Sequence, residues 1–161
     1  MRLLFVCTGN ICRSPTADAV ARRRAADAGL DWHVDSAGTG GWHAGEAPDP
    51  RATAAGAGRG YDLSVVQARE VDPADFRRFD HIIAMDGSHL RFLRRMPGAK
   101  GGARLSLMMD WAGEPGVEVP DPYYGGDDGF DDVLDMIERA VVGLISDLGP
   151  NPGAGPDQSK G

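Results

Sequence analysis

Segments with the character of strands alternate with helical segments, and this alternation constrains the fold more than any other feature of the sequence. Residues 3–6 are apolar without alternation, as in a strand buried on both faces. Further strands are predicted at residues 33–37, 81–85 and 103–108, with a short extended piece at 65–66. Helices are predicted at residues 16–28, 49–58, 72–80, 86–95 and 130–148. Such alternation predicts an α/β fold in which helices cover both faces of a parallel sheet.

Length and charge limit the domain organisation and the classes of partner. With 161 residues the chain fits one domain, expected over residues 1–148, and the Gly- and Pro-rich residues 149–161 predict a disordered tail. A net charge of −7 disfavours nucleic-acid and anionic-membrane binding, which require a basic face. The N-terminal apolar run is too short for a signal peptide. We therefore expect a cytoplasmic monomer, with secretion by a route that needs no signal peptide left open.

The two cysteines, Cys7 and Cys12, lie in one short segment, and the sequence has no others. A disulfide framework joins distant segments, so this pattern predicts none. The four histidines share no metal-ligand spacing, so no metal is predicted. We assign all four to loops or the surface: His33, His43, His81 and His89. A reactive thiol with a neighbouring thiol is the interpretation that remains.

Residues 7–14, here called the anion loop, have the sequence Cys-Thr-Gly-Asn-Ile-Cys-Arg-Ser and join the first strand to the first helix. Small residues in such a loop turn backbone N–H groups inward to form an anion-binding nest, which the helix N-terminus reinforces. Arg13 offers a planar fork that matches two phosphate oxygens. Cys7 at the floor of the nest would attack a bound phosphate monoester, with Ser14 donating a hydrogen bond to the sulfur. A lone cysteine at a strand end is ordinarily a core residue, but its spacing from Arg13 favours a nucleophile.

The anion loop resembles the phosphate-binding loop of the low-molecular-weight protein tyrosine phosphatases. Similarities continue in the same order at residues 35–39, 42, 48–52, 68–69, 75–76, 79–80 and 85–86, and Asp-Pro-Tyr-Tyr-Gly at 121–125 resembles the general-acid loop of that family. The resemblance spans residues 3–148. It implies a three-layer doubly wound fold with a central four-stranded parallel sheet in the flavodoxin-like order 2-1-3-4. It also implies phosphotyrosine hydrolysis without a cofactor.

The resemblance further implies a role for each matching residue. Cys7 would be the nucleophile, Arg13 would bind phosphate, and Asp121 would act as general acid and then as general base. The phosphate-binding loop would comprise Thr8, Gly9, Asn10, Ile11, Cys12 and Ser14, supported by the side chains of Asn10, Ser14 and Ser36. The substrate would meet a wall formed by Trp42, Tyr123 and Tyr124. Cys12 would be the redox partner of Cys7. Many relatives carry a histidine where this chain has Val66.

Three other functions are alternatives to phosphotyrosine hydrolysis. Arsenate reductase uses the same fold and nest but needs further cysteines downstream, and none follows Cys12. Protein arginine phosphatases carry threonine at the position of Ile11, where an apolar residue suits an aromatic ring better. A non-catalytic phosphate-binding module would not require Cys7 or Asp121. The expected partner is a phosphotyrosine-containing protein. The Gly- and Arg-rich composition favours a high-GC bacterium as the source, so a bacterial tyrosine kinase is one candidate.

Overall fold

The computed structural model describes residues 1–126 and 128–149 and has a four-stranded sheet at its centre. The strands are β1 (Arg2–Cys7), β2 (His33–Gly38), β3 (His81–Ala84) and β4 (Arg104–Leu107). They lie in the order β2-β1-β3-β4, and every neighbouring pair is parallel. The predicted α/β fold and the implied order 2-1-3-4 are therefore confirmed.

Helices cover both faces of this sheet. They are α1 (Arg13–Asp27), α2 (Pro50–Ala57), α3 (Asp75–Arg78), α4 (Gly87–Arg95) and α5 (Asp128–Leu148), with a 3-10 helix at Met108–Ala112. Leu3 and Phe5 of β1 pack in one core with α1 and α5. Leu4 and Val6 point to the other face and pack with α3 and α4. Burial on both faces explains why β1 shows no polar alternation.

Most predicted elements are present, but several bounds were wrong. Helix α1 begins at Arg13 rather than at residue 16, and no side chain caps it, because the Ser14 hydroxyl bonds within the anion loop. The predicted extended piece at residues 65–66 is absent. The N–H of Ser64 donates to the Asp62 side chain, and Val66 N donates to the Leu63 carbonyl, so a turn forms there. The end of the predicted fourth strand belongs to the 3-10 helix, which begins at Met108.

Three chain segments meet at the carboxyl ends of β1 and β3. The anion loop follows β1 directly. The segment around Arg69 runs beside the end of β2, where Gly38 N donates to the Arg69 carbonyl and Val71 N donates to the Gly38 carbonyl. The segment leading to Asp121 passes the end of β3, where Val119 N donates to the Met85 carbonyl. Crevices at the carboxyl edge of an open parallel sheet are the usual ligand sites of such folds.

Two further points concern the chain outside this edge of the sheet. The predicted tail lies outside the described residues, apart from Gly149. Within residues 1–126 and 128–149, no helix is both long and apolar enough to cross a membrane.

Candidate active site

The anion loop is closed by Asn10, whose backbone adopts a left-handed conformation with φ of 58°. Asparagine is one of the few residues that tolerate this conformation. Its side chain is fully buried; Nδ2 donates to Ser14 Oγ at 2.8 Å, and Oδ1 accepts from Arg69 N at 3.0 Å. The loop is therefore held at its turn by one bond within the loop, to Ser14, and by one bond from the main chain of Arg69, elsewhere in the fold.

Cys7 lies at the base of this loop, where β1 ends. Its side chain is nearly buried, and Sγ is 3.0 Å from Ser14 Oγ. Ser14 Oγ accepts from Asn10 and also lies 3.3 Å from the Ala37 carbonyl, so its single hydrogen can turn to the sulfur when the sulfur is a thiolate. The N-terminus of α1 begins one residue after the loop's second cysteine and adds positive potential at the same place.

Arg13 is fixed so that one edge of its guanidinium faces the cleft. Nη1 donates to Asp86 Oδ2 at 2.9 Å and to the Val119 carbonyl at 3.0 Å. Nη2 is 3.4 Å from Thr8 Oγ1 and 3.8 Å from Asp121 Oδ2, while Nε makes no hydrogen bond to any described residue. The Nε and Nη2 edge is thus left for two oxygens of an anion, the bidentate geometry in which arginine binds phosphate.

Asp86 and His89 complete the site, and neither residue was predicted from the sequence to belong to it. Asp86 caps α4 by accepting from the N–H groups of Ser88 and His89, while Asp86 N donates back to His89 Nδ1 at 3.3 Å. Burial acts to raise the pKa of the Asp86 carboxyl, but bonds from Ser88 and Arg13, together with neighbouring His89, lower it to about 2. Burial, reinforced by Arg13, lowers the pKa of His89 to about 4, against the attraction of Asp86.

His89 was predicted to be a surface or loop residue, and this prediction was wrong. It is almost fully buried, and Nε2 lies 2.8 Å from Thr8 Oγ1 in the anion loop. Asp86 and His89 stand three positions apart directly after β3, which is the spacing of a capping box. That spacing was visible in the sequence, but placing it beside the anion loop required knowing that β3 pairs with β1.

Asp121 and the aromatic residues form the upper part of a cleft of about 310 Å³ above Cys7. The Asp121 side chain is partly exposed, and Oδ1 accepts from Tyr123 N at 3.0 Å. Rings of Tyr123 and Tyr124 meet edge to face, with centroids 4.9 Å apart, and Arg51 lies 5.3 Å over the Tyr123 ring. The cleft is lined by Cys7, Thr8, Gly9, Ile11, Cys12, Arg13, Trp42, His43, Asp121, Tyr123 and Tyr124.

The structure thus brings the predicted acid and wall residues and most of the predicted loop residues to one cleft, and it adds His43, whereas Asn10 and Ser14 are buried and do not line the cleft. Trp42 is 71% exposed and is therefore not packed in the core. Trp42 packs over Gly40, where any side chain would overlap its ring. A flat, open wall of this kind suits an aromatic group of a ligand whose anionic end binds to the loop.

One predicted support residue, Ser36, differs from expectation, and Val66 gives the loop no polar support. Ser36 is buried in β2, but its hydroxyl has no hydrogen-bond partner among the described residues, so the bond expected from it to the loop is not formed here. Val66, at the position of the histidine in many relatives, is nearly buried and apolar. Asn10 instead receives its support from the main-chain N–H of Arg69. The Arg69 side chain is in turn held by Asp35 and by buried Asp75.

Cys12 lines the same cleft as Cys7 but differs from it chemically. Burial raises the pKa of the Cys12 thiol to about 12, and the nearby Asp49 adds to this effect. Cys12 therefore stays a neutral thiol at ordinary pH. Across residues 1–126 and 128–149, no group of three or more His, Cys, Asp or Glu side chains could hold a metal ion.

A family model and the sequence relatives identify the same protein family. The model of the family described as low molecular weight phosphotyrosine protein phosphatase matches residues 2–152. A low molecular weight protein-tyrosine-phosphatase of Streptomyces coelicolor is 50% identical over 153 residues, covering 90% of this chain and 92% of the relative.

Solved structures agree with the sequence relatives. A protein tyrosine phosphatase from Entamoeba histolytica superimposes with a TM-score of 0.83 at 41% identity, covering 92% of this chain and 96% of its own. A Drosophila arginine phosphatase superimposes with a TM-score of 0.87 at 30% identity, covering 94% of this chain and 99% of its own. The same scaffold therefore occurs in a protein named as a tyrosine phosphatase and in one named as an arginine phosphatase.

Proposed function

Because this chain belongs to the low molecular weight phosphotyrosine protein phosphatase family, a family of hydrolases, we propose that it hydrolyses phosphotyrosine in proteins through a phosphocysteine intermediate. One observation carries the proposal. Cys7 Sγ, held 3.0 Å from Ser14 Oγ, lies in the same cleft as the free edge of Arg13 and the carboxyl group of Asp121. These are the nucleophile, the phosphate-binding group and the proton donor that the reaction needs.

The first step transfers the phosphoryl group to sulfur. The Cys7 thiolate attacks phosphorus in line, the S–P bond forms and the P–O bond to the tyrosine ring breaks. Asp121 gives its proton to the departing phenolate oxygen. Loop N–H groups and the Nε and Nη2 edge of Arg13 hold the three non-bridging oxygens, whose charge is redistributed as the bonds change.

The second step releases inorganic phosphate. Asp121, now a carboxylate, takes a proton from a water molecule that attacks phosphorus, and the S–P bond breaks. The sulfur leaves as a thiolate, which the hydrogen of Ser14 stabilises at 3.0 Å. The site returns to its starting state, with one water consumed for each phosphate released.

The shape of the cleft supports phosphotyrosine as substrate. The rings of Trp42 and Tyr124 stand exposed above the loop, and Ile11 adds an apolar contact at its edge. We expect the long, aromatic side chain of phosphotyrosine to span this cleft from its rim to Cys7, and the shorter side chain of phosphoserine to fit it less well. Partners are then proteins that carry exposed phosphotyrosine, and a bacterial tyrosine kinase is one candidate.

A second candidate is protein arginine phosphatase, favoured by the likeness to the Drosophila arginine phosphatase. Phosphoarginine presents a charged, planar guanidinium where phosphotyrosine presents an apolar ring. Ile11 offers that guanidinium no hydrogen bond, and this is why tyrosine is the preferred substrate in our account.

Release of phosphate from phosphotyrosine, phosphoserine and phosphoarginine substrates tests the proposal, with EDTA present. The wild type should act on phosphotyrosine, Cys7→Ser should be inactive, and Asp121→Ala should lose about 10²- to 10⁴-fold. A preference for phosphoarginine would keep the mechanism but change the substrate. Full activity in Cys7→Ser would contradict the nucleophile, and activity that EDTA abolishes would point to a metal-dependent reaction.

A further inference from the structure

The contact between Thr8 and His89 is not used by the steps above. Thr8 follows the nucleophile in the chain, and its side chain lines the cleft beside Cys7 and Arg13. His89 lies behind it in the first turn of α4 and is almost fully buried. The distance from His89 Nε2 to Thr8 Oγ1 is 2.8 Å, which is a good hydrogen bond between segments 81 residues apart.

The neighbours of His89 indicate which atom carries the hydrogen of that bond. Asp86 N points its hydrogen at His89 Nδ1, at 3.3 Å. Asp86 Oδ1 also lies 3.2 Å from Nδ1, but that contact lacks the geometry of a hydrogen bond, so we assign Nδ1 as an acceptor. The other tautomer would place two hydrogens between these atoms and leave the Asp86 N–H unsatisfied. Since burial lowers the pKa of His89 to about 4, the ring is neutral near pH 7 and its one hydrogen is on Nε2. His89 therefore donates to Thr8.

Counting donors and acceptors at Thr8 shows where its own hydrogen must go. A hydroxyl has one hydrogen and two lone pairs. Nε2 of His89 takes one lone pair at 2.8 Å, and Nη2 of Arg13 approaches the other at 3.4 Å. Both neighbours are donors, so the Thr8 hydrogen can point to neither. It is directed into the cleft, where the anion binds.

We propose that the Thr8 hydroxyl donates a hydrogen bond to an oxygen of the bound phosphate, and that His89 is the positioning residue that orients this hydroxyl. The proposal rests on the phosphatase function proposed above. Hydrogen bonds to charged groups are among the stronger ones, so loss of this bond should weaken phosphate binding about tenfold. Because the phosphoryl oxygens stay charged through the reaction, kcat/KM should fall by a similar factor.

Two substitutions of His89 separate this role from a simple helix cap. In His89→Asn the amide oxygen can replace Nδ1 as acceptor for Asp86 N, but no donor reaches Thr8. In His89→Gln the amide nitrogen reaches as far as Nε2, but the bond from Asp86 N to Nδ1 is lost, while Asp86 still accepts from the main-chain N–H groups of the first turn. Thr8→Val removes only the hydroxyl. Ser88→Ala is the matched control, because Ser88 Oγ also bonds Asp86 at the cap and has no contact with Thr8.

The measurements are calorimetric binding of inorganic phosphate, kinetics with p-nitrophenyl phosphate, and thermal unfolding of each variant. We expect Thr8→Val and His89→Asn each to bind phosphate about tenfold more weakly, and the double variant to bind no more weakly than either. His89→Gln should recover most of the affinity lost in His89→Asn while unfolding at a lower temperature. Ser88→Ala should lose stability without losing affinity.

The opposite pattern would overturn the inference. Wild-type phosphate affinity in Thr8→Val, or affinity that follows helix stability across the two His89 variants, would show that the contact is only structural. The binding readout also separates this inference from the proposed function. A wild type that binds phosphate but hydrolyses nothing contradicts only the function, whereas normal hydrolysis with an unaffected Thr8→Val contradicts only the inference. A wild type that fails to bind phosphate contradicts both.

Discussion

Asn10 is the one non-glycine residue among those described that has a positive φ, and it lies at the centre of the anion loop. A tight turn at this place was predictable from the sequence, because Gly9 and Asn10 are turn residues in front of a helix. Its bond to Arg69 N was not predictable, since residues 10 and 69 meet only in the folded sheet. The turn in the loop thus follows from the local sequence, whereas the hydrogen bond that supports it depends on the tertiary structure.

Substitutions of Asn10 should separate backbone conformation from hydrogen bonding. Asn10→Gly keeps the left-handed conformation but loses the bonds to Ser14 and Arg69, which should cost about 1–3 kcal/mol of unfolding free energy. Asn10→Ala loses both and should cost about 1 kcal/mol more. Urea denaturation measures the stabilities. Equal stability in the two variants would show that the conformation at residue 10 carries no strain.

Cys12 should protect Cys7 from irreversible oxidation. Peroxide converts a reactive thiolate to a sulfenic acid, which can condense with the neutral Cys12 thiol to give a disulfide and water. We expect thiol reductants to restore the peroxide-treated wild type and to restore Cys12→Ser much less completely. Activity before and after dithiothreitol measures this, with untreated Cys12→Ser as the control. Equal recovery of both proteins would exclude a protective role.

At the scale of elements, the start of helix α4 follows β3 and contacts the site through Asp86 and His89. The sequence predicted its start at Asp86, and the structure shows Asp86 as the N-cap, as it does Asp49 for α2. The start of α1 was misplaced because Ser14 looked like a cap, whereas its hydroxyl serves the loop instead. Cap residues predicted the starts of α2 and α4, but not that of α1, where the hydroxyl of Ser14 serves the loop, nor that of α3, which begins at Asp75 rather than at residue 72.

Buried His89 should make the stability of this element depend on pH. Its pKa is about 4 in the fold against about 6.5 unfolded, so between these values only the unfolded chain holds the proton. Stability should therefore fall as pH drops from about 6.5 to about 4, by up to about 1.4 kcal/mol per pH unit. Asp86, with a pKa of about 2, contributes stability that is lost only at still lower pH, below its unfolded pKa.

Denaturation of wild type and His89→Asn across this pH range provides the check. Asparagine does not titrate, so the variant should show a shallower decline between about pH 6.5 and 4. The two proteins should differ less at the acid end than near neutral pH. Parallel curves would mean that His89 is protonated in the fold as readily as in the unfolded chain.

At the scale of the whole molecule, the sheet and its two cores follow from the sequence, whereas the strand order came only from the family resemblance. Alternating strands and helices require a parallel sheet, but they do not say that β1 lies between β2 and β3. That order brings Asp86 and His89 beside the anion loop. The 3-10 helix at Met108–Ala112 was also not predicted, because its helical character depends on packing against α5.

Gly143 tests that packing between α5 and the 3-10 helix. Alanine normally stabilises a helix interior relative to glycine, by about 1 kcal/mol. A Cβ at Gly143, however, would overlap the backbone carbonyl of Trp111, so Gly143→Ala should destabilise the protein by about 1–3 kcal/mol. In the same helix a Cβ at Gly129 would make only ordinary contact with Pro122, so Gly129→Ala is the control and should leave stability unchanged or slightly higher. A gain in melting temperature for Gly143→Ala would show that the two helices are loosely packed.

Trapping the covalent intermediate tests the central claim most directly. p-Nitrophenolate leaves readily without a proton, whereas release of phosphate from sulfur still needs Asp121 as base. Asp121→Ala mixed rapidly with p-nitrophenyl phosphate should therefore give a burst of p-nitrophenol and accumulate a phosphoenzyme. Mass spectrometry of the quenched protein should find one phosphoryl group on the peptide that contains Cys7, and none in Asp121→Ala that also carries Cys7→Ser. A phosphoryl group on another residue, or turnover with no phosphoenzyme and no burst, would contradict the account.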